Sequence, residues 1–414
     1  MKKGMSRREF IVSAAKVSSA ACLLSIFEGS GFMKDILGRG PFDIFAGDAL
    51  GDIILKAPKA RFYVPFVAGG DCSPCHGSSI PSGDLKNAHK NRVVKCLLCA
   101  HGCMIQDGGR GKCGARVNVR GELKSLVYGR PITTHTDPIE KKPLYHFLPG
   151  SAAFSIATGG CPLACKFCQN WQISQSRPED YSTPFVPPSD IVGSAAANKA
   201  PVIAFTYNEP TVFAEYLIDI ANEGKKKGLR SVIISCGFMR EEPLKEMIDA
   251  LDAIKIDLKG FSEDFYRSVC KAELQPVLRS VKQVAKAGRH LEIVNLVVPT
   301  LNDKAGDIRD LAKFVLDEAG PDTPLHFTRF HPDYQLLNLP PTPVSTLEKA
   351  REAAMELGLR YVYVGNVPGH PGNHTYCPKC GKTVIERQGF LVKTMNLKQG
   401  KCAFCGSPVK GVWS

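Results

Sequence analysis

The chain has 414 residues, 44% of them hydrophobic and 22% charged, which supports a folded core and excludes a disordered or fibrous protein. Its net charge of +13 arises on the two flanks, residues 1–130 and 371–414, while residues 131–370 are slightly acidic. The sixteen cysteines fall mostly in short-spaced groups, which points to thiolate metal ligation rather than a disulfide framework.

Residues 1–27 open with basic residues and Ser6-Arg7-Arg8-Glu9-Phe10-Ile11, then run through small and apolar residues to Phe27, a pattern that resembles a twin-arginine export signal. No clean small-x-small cleavage site follows, so the segment reads as a tether, and Cys22 behind Ser19 makes a poor lipid-attachment site. The expectation is a cell-envelope protein that contacts the membrane only through this segment. An amphipathic helix with two chance arginines is the alternative, and it leaves the protein cytoplasmic. Beyond the segment no run of about 20 apolar residues predicts a further span.

The signal and linker take residues 1–50, and residues 28–90, rich in Gly, Pro and Asp, read as linker and irregular loops. Cys72-Ser-Pro-Cys75-His76 has the form of a c-type haem attachment site; a cluster ligand pair, a metal knuckle and a redox dithiol are the other readings. Within a Cys-rich module over residues 51–135, Cys96, Cys99, Cys103 and Cys113 place four thiols within eighteen residues. They suit an auxiliary iron-sulfur cluster or zinc, with unligated thiols as the plain alternative.

From residue 136 to 370 apolar runs alternate with helical patterns. The runs are Phe154 to Thr158, Val202 to Tyr207, Ser231 to Ser235, Ala253 to Leu258, Leu291 to Val298, Leu325 to Phe330 and Tyr361 to Val364. Phe213, Tyr216, Leu217, Ile220 and Ala221 form a helical stripe, repeated by Ile308, Leu311, Ala312, Val315 and Leu316. The alternation predicts an α/β fold, a parallel sheet wrapped as a partial (β/α) barrel with its chemistry at the C-terminal strand ends.

Cys161-Pro-Leu-Ala-Cys165-Lys-Phe-Cys168 follows the first run and Gly159-Gly160. Three thiolates suit a [4Fe-4S] cluster with one iron left open, where S-adenosylmethionine (SAM) can chelate; a structural zinc site wants a fourth ligand, and none is near in sequence. Together with Thr206-Tyr-Asn-Glu-Pro-Thr211, Asp257-Leu-Lys259, the segments 296–303 and 327–334, and Tyr363-Val-Gly-Asn-Val-Pro-Gly369, the loop resembles the AmmeMemoRadiSam system radical SAM enzymes, relatives of pyruvate formate-lyase activating enzyme. The resemblance spans roughly residues 93–414.

It implies an enzyme that cleaves SAM reductively to a 5′-deoxyadenosyl radical, fed by a low-potential electron donor and associated with Memo-type and AMME-type proteins. It implies that Phe167 packs near the adenine, Asn208 and Glu209 meet the SAM ammonium, and Ser235 and Gly237 lie by the ribose. By the same resemblance Asp257, Lys259 and His331 contact SAM, while Gly365, Asn366 and Val367 lie beside the adenine. Each residue also has a structural reading: Glu209 as a helix cap before Pro210, Asp257 with Lys259 as an ion pair, His331 as a loop histidine. Two rival functions stand, a glycyl-radical enzyme activase and a non-enzymatic envelope electron carrier.

Residues 371–414 carry Cys377, Cys380, Cys402 and Cys405 as two C-x2-C knuckles, the spacing of a zinc ribbon with a structural zinc; rubredoxin-like iron fits the same spacing. The basic surroundings admit nucleic acid or an acidic partner.

Overall fold

The computed structural model describes residues 49–65 and 92–414. The export-signal reading and the Cys72, Cys75, His76 site lie outside them.

The fold is a run of seven parallel strands joined by helices: β1 (Ala152–Ala157), α1 (Pro188–Ala197), β2 (Val202–Phe205), α2 (Ala214–Lys226), β3 (Arg230–Ser235), α3 (Glu241–Ala250), β4 (Ala253–Asp257), α4 (Leu274–Lys286), β5 (His290–Val297), α5 (Ala305–Ala319), β6 (Leu325–Arg329), α6 (Val344–Glu356) and β7 (Val362–Gly365). Neighbours in sequence are neighbours in the sheet, and Thr133–Pro138 adds an antiparallel strand on the outer side of β1. Among the described residues nothing pairs β7 with that edge strand, so the sheet is an open (β/α) array, as the alternation of patterns predicts.

Side chains alternate across each strand, and the two faces differ. Phe154, Ile156, Ile203, Phe205, Ile233, Ile254, Ile256, Ile293 and Phe327 face the helices and share one core with Tyr216, Leu217, Val281 and Leu311. The opposite face is small and apolar at β1–β3, where Ala153, Val202, Ala204 and Val232 pack with Ile139, Leu144 and Phe147. Across β4–β7 it turns polar, with Lys255, Glu292, His326, Thr328 and Tyr363 buried on it and Asp257 part-buried. This polar half directs the chemistry inward.

Residues 49–64 correct one expectation. Within the stretch read as linker, Ala49–Lys56 is a helix whose Ile53 and Ile54 are buried with Val117 and Leu126, and Tyr63–Val64 pairs with Val94–Cys96. Two helical turns are too short to display a period in sequence, and tertiary packing holds them.

The C-terminal module docks on the barrel where Tyr145, Tyr361 and Tyr363 share a core with Cys377, Val384, Ile385, Cys402 and Val409. Its Arg387 reaches the Tyr145 carbonyl at 2.8 Å and pairs with Glu140 at 3.6 Å, both side chains fully buried. His146 closes the joint: Nδ1 lies 2.6 Å from the Lys410 carbonyl, Nε2 meets the Tyr363 hydroxyl, and the ring lies 5.3 Å from Trp413. Burial pushes His146 down to about 3 from an ordinary 6.5, against the pull of Glu292. Between those values the unfolded chain binds a proton that the folded joint refuses. Its contribution to stability is therefore complete above about pH 6.5 and is lost as the pH falls toward 3. Acidification through that window should loosen the module, read as a shift of Trp413 emission in a Trp171→Phe background, and His146→Gln should flatten the dependence. An emission profile unchanged by His146→Gln would show that this histidine does not govern the joint.

Candidate active site

At the C-terminal ends of the parallel strands a cavity of about 440 Å³ opens, and Cys161, Cys165 and Cys168 all line it. The loop that carries them is fixed from several sides. Gly160 has φ +93, and a Cβ there would lie 2.3 Å from the Cys113 carbonyl oxygen, so only glycine fits the approach. Asn208 donates to the Gly160 carbonyl (2.8 Å), the amides of Ala164 and Lys166 donate to the carbonyls of Cys270 and Val269, and Asn170 donates to the Tyr207 carbonyl. Ser174 lies 3.2 Å from the Cys168 sulfur.

The three thiols are within electrostatic reach of one another. Among the described residues no acid, histidine or further cysteine joins them in a tight single-ion site of the kind the C-terminal cysteines form. Three sulfur donors spaced around a common opening fit a cluster with one corner free toward the cavity. Burial, and then the nearby Glu209, push the Cys161 thiol well above its ordinary value. Bound iron, with its positive charge, offsets that cost.

Phe167 is buried and stacked on Phe265, with the Lys259 ammonium 5.6 Å from its ring centroid. Asp257 sits between two ammoniums, paired with Lys255 and, at 3.5 Å, with Lys259. Burial alone would raise the Asp257 carboxyl, but the two lysines outweigh it and hold it below its ordinary value. Burial likewise works against the Lys259 ammonium, yet the Asp257 carboxylate above all keeps it charged, well above its ordinary value. Asp257 and Lys259 are thus an ion pair that also faces the cavity beside the thiols.

Glu209 caps the turn Pro210–Phe213 through the Thr211 amide, and it also accepts from Thr211 Oγ1, Ser235 Oγ and the Cys236 amide. Its carboxylate ties the end of β2 to the end of β3 while its surface lines the cavity. Ser235 is buried in that tie, and Gly237, at φ +70, packs against Ile256, Val277 and Ser280; the residue between them, Cys236, is the one on the cavity wall. Gly365 and Asn366 line the opening, and Val367 packs partly buried against the core. His331 is exposed and is not among the lining residues, so the structure does not bring it to the site.

Lys255 and Cys236 line the site without having been singled out in sequence, and Cys270 lies behind it as a hydrogen-bonded neighbour of Cys165. Lys255 was legible, because Lys255 and Asp257, two residues apart, fall on one face of β4. Toward the opposite end the cavity is walled by Lys142, Tyr145, His326 and Phe390, the last from the C-terminal module.

That module gathers four cysteines of its own. Cys377, Cys380, Cys402 and Cys405 bring their sulfurs within 4.8 Å of one another. Cys377 lies 3.6 Å from Cys405 and Cys380 lies 3.8 Å from Cys402. Metal–sulfur bonds of about 2.3 Å in a tetrahedron demand edges of about 3.8 Å, so the four fit one metal ion.

Residues 155–315 match the family model described as the radical SAM superfamily. The chain is 46% identical over 318 residues to an uncharacterized protein of Methanocaldococcus jannaschii, covering 76% of this chain and 95% of that one. The chain belongs to the radical SAM superfamily. This radical SAM chain is also 26% identical to the pyruvate formate-lyase-activating enzyme of Clostridium pasteurianum, over 38% of its own length and 66% of the relative's. Among solved structures it is similar to a domain of pyruvate-formate lyase-activating enzyme from Bacteroides vulgatus, at 18% identity and a TM-score of 0.36, covering 39% of this chain and 98% of that one. It is an enzyme, and its radical SAM domain implies a [4Fe-4S] cluster and SAM.

Proposed function

We propose that Cys161, Cys165 and Cys168 hold the cluster, and that the enzyme splits SAM reductively to act on a substrate seated deeper in the same cavity. The observation that carries this reading is the set of three thiols at one cavity with Phe167 and the Asp257–Lys259 pair beside them. When bound, the cluster and SAM supply a one-electron cleavage of a carbon–sulfur bond and a 5′-deoxyadenosyl radical. The chain supplies the rest. Lys259 offers an ammonium for the SAM carboxylate, Asp257 keeps it aimed, and Phe167 gives an apolar face for the adenine. Thr328, Lys255, His326 and Tyr145 shape the space beyond, where a substrate hydrogen would be presented away from bulk water.

The motif series resembles the AmmeMemoRadiSam system enzymes, so a low-potential donor and Memo-type and AMME-type proteins are the partners of this proposal. Its test is formation of 5′-deoxyadenosine and methionine by anaerobically reconstituted, reduced protein. Lys259→Met, checked for an intact melt, should weaken SAM binding about 10- to 100-fold, the worth of one charge-assisted hydrogen bond. Unaltered binding in a folded Lys259→Met protein would remove the assigned role. Absence of deoxyadenosine from a wild-type protein whose cluster is intact would remove the function. The match to activating enzymes makes co-incubation with a glycyl-radical protein the informative second assay, because a glycine-centred radical would identify the substrate as that polypeptide.

A further inference from the structure

We infer that Cys96, Cys99, Cys103 and Cys113 hold a second iron-sulfur cluster that passes electrons to the centre at Cys161, Cys165 and Cys168. The relay rests on the function proposed above; the second cluster does not.

The four thiols come from two turns folded toward each other. Val94–Cys96 pairs with Met104–Ile105, the Cys96 amide donates to the Cys103 carbonyl at 2.9 Å, and Gly102 at φ +56 closes the turn between them. Cys113 arrives on the next turn, where a Cβ on Gly111 would stand 3.8 Å from the Cys113 sulfur and 4.0 Å from the Cys103 sulfur. All four thiols lie within electrostatic reach of one another. Amides two residues on, those of Leu98, His101 and Ala115, donate to the sulfurs of Cys96, Cys99 and Cys113. Amide donors aimed at sulfur favour thiolate, the form that binds metal.

Two observations select a cluster over a single ion. Among the described residues the C-terminal cysteines close to within 4.8 Å of one another, whereas the N-terminal four do not, so they surround a wider space than one tetrahedral ion fills. Arg116 is fully buried beside Cys96 and Cys113; one of its nitrogens is held by Glu215 at 2.6 Å, while Nε and Nη1 have no hydrogen-bond partner. A buried guanidinium with two idle donors costs stability unless an acceptor is present. The sulfurs of an anionic cluster would be that acceptor.

Position gives the cluster its role. The Cys113 carbonyl packs on Gly160, the residue before Cys161, and the His101 ring, between Cys99 and Cys103, lies 2.8 Å from the Pro162 carbonyl. Met104, beside Cys103, and Lys112, beside Cys113, are exposed, so an external carrier can approach. One electron enters from a reduced low-potential protein carrier of the ferredoxin or flavodoxin class, which is thereby oxidised. The same electron leaves for the SAM-binding centre, and the N-terminal site returns to its starting state.

The test is a Cys161→Ala, Cys165→Ala, Cys168→Ala triple variant reconstituted anaerobically with iron and sulfide. It should retain about four irons and four sulfides and, once reduced, show a paramagnetic signal indifferent to SAM. One zinc, or no metal in a folded triple variant, would overturn the second cluster. In the wild type, whose SAM-responsive signal reports the other centre separately, rapid freezing after mixing with one equivalent of reduced carrier and SAM should show the N-terminal signal rising first and decaying as deoxyadenosine appears. The reverse order would overturn the relay and leave the cluster standing. Should the triple variant fail to fold, an Arg116→Met, Glu215→Leu pair gives an independent reading. The pair leaves the net charge unchanged, but Arg116 acts on Cys96 and Cys113 more strongly than Glu215 does, so its loss should move the N-terminal midpoint to lower potential and leave the SAM-responsive midpoint in place, and an unmoved N-terminal midpoint would overturn the siting.

Discussion

Cys165→Ser is expected to reduce deoxyadenosine formation to the level of a no-enzyme control, and Cys270→Ala is expected to leave most of it. The two thiols are hydrogen-bonded neighbours, and Cys270 is fully buried, so composition alone does not say which one ligates. Position does. Cys165 lines the cavity with Cys161 and Cys168, whereas Cys270 lies outside that lining, at the end of the π-helical turn Tyr266–Cys270 whose carbonyls pin the loop. Serine keeps the shape at position 165 but offers a hard, weakly acidic oxygen in place of a soft thiolate, which iron-sulfur chemistry tolerates poorly. Truncating Cys270 removes one sulfur from a packed core and costs about 1 kcal/mol, with no loss of ligand. Iron counts on both reconstituted proteins, beside the deoxyadenosine assay, check the assignment. Wild-type turnover by Cys165→Ser, or loss of iron from Cys270→Ala, would reverse it.

The sheet and the thiol loop were legible because both are written in local pattern. Seven apolar runs mark the seven parallel strands to within about two residues, and a C-x3-C-x2-C loop after a Gly-Gly pair needs no tertiary knowledge to be seen. What escaped depends on which chain segment closes over which. Glu209 reads equally as ligand or cap in sequence, and in the fold it caps the turn, braces Ser235 and Cys236 and still faces the cavity. His331 carries the right residue type in the right order, yet the loop after β6 leaves it exposed. The helix Ala49–Lys56 is held by Val117 and Leu126, about seventy residues away, and no short window contains that information. Cysteine spacing announced metal at residues 96–113 and 377–405 alike; the separation between sulfurs, which distinguishes one ion from a cluster, exists only in three dimensions.

Depriving Cys377, Cys380, Cys402 and Cys405 of the metal ion they fit, by Cys402→Ala or by chelation, should unfold residues 371–414 and take Phe390 out of the cavity wall. The module cannot stand on its own apolar contacts: its buried side chains are few and share their core with barrel tyrosines, while apparent binding energies of a structural tetrathiolate metal reach about 10–16 kcal/mol. The loss propagates. With Arg387 withdrawn, Glu140 keeps the Gly150 amide but loses its counter-charge while fully buried, a penalty of about 3–5 kcal/mol if the charge stays buried. Phe390 leaves the cavity with the module, so water enters beside Lys142 and His326. Three measurements should therefore move together: loss of one metal equivalent, which we propose is zinc, new protease cuts confined to residues 371–414, and a lower melting temperature for the barrel. Glu140→Gln should recover part of the barrel's lost stability in the metal-free protein, because a neutral amide needs no counter-charge. A folded, protease-resistant Cys402→Ala protein that binds no metal would show that the four sulfurs gather through packing alone.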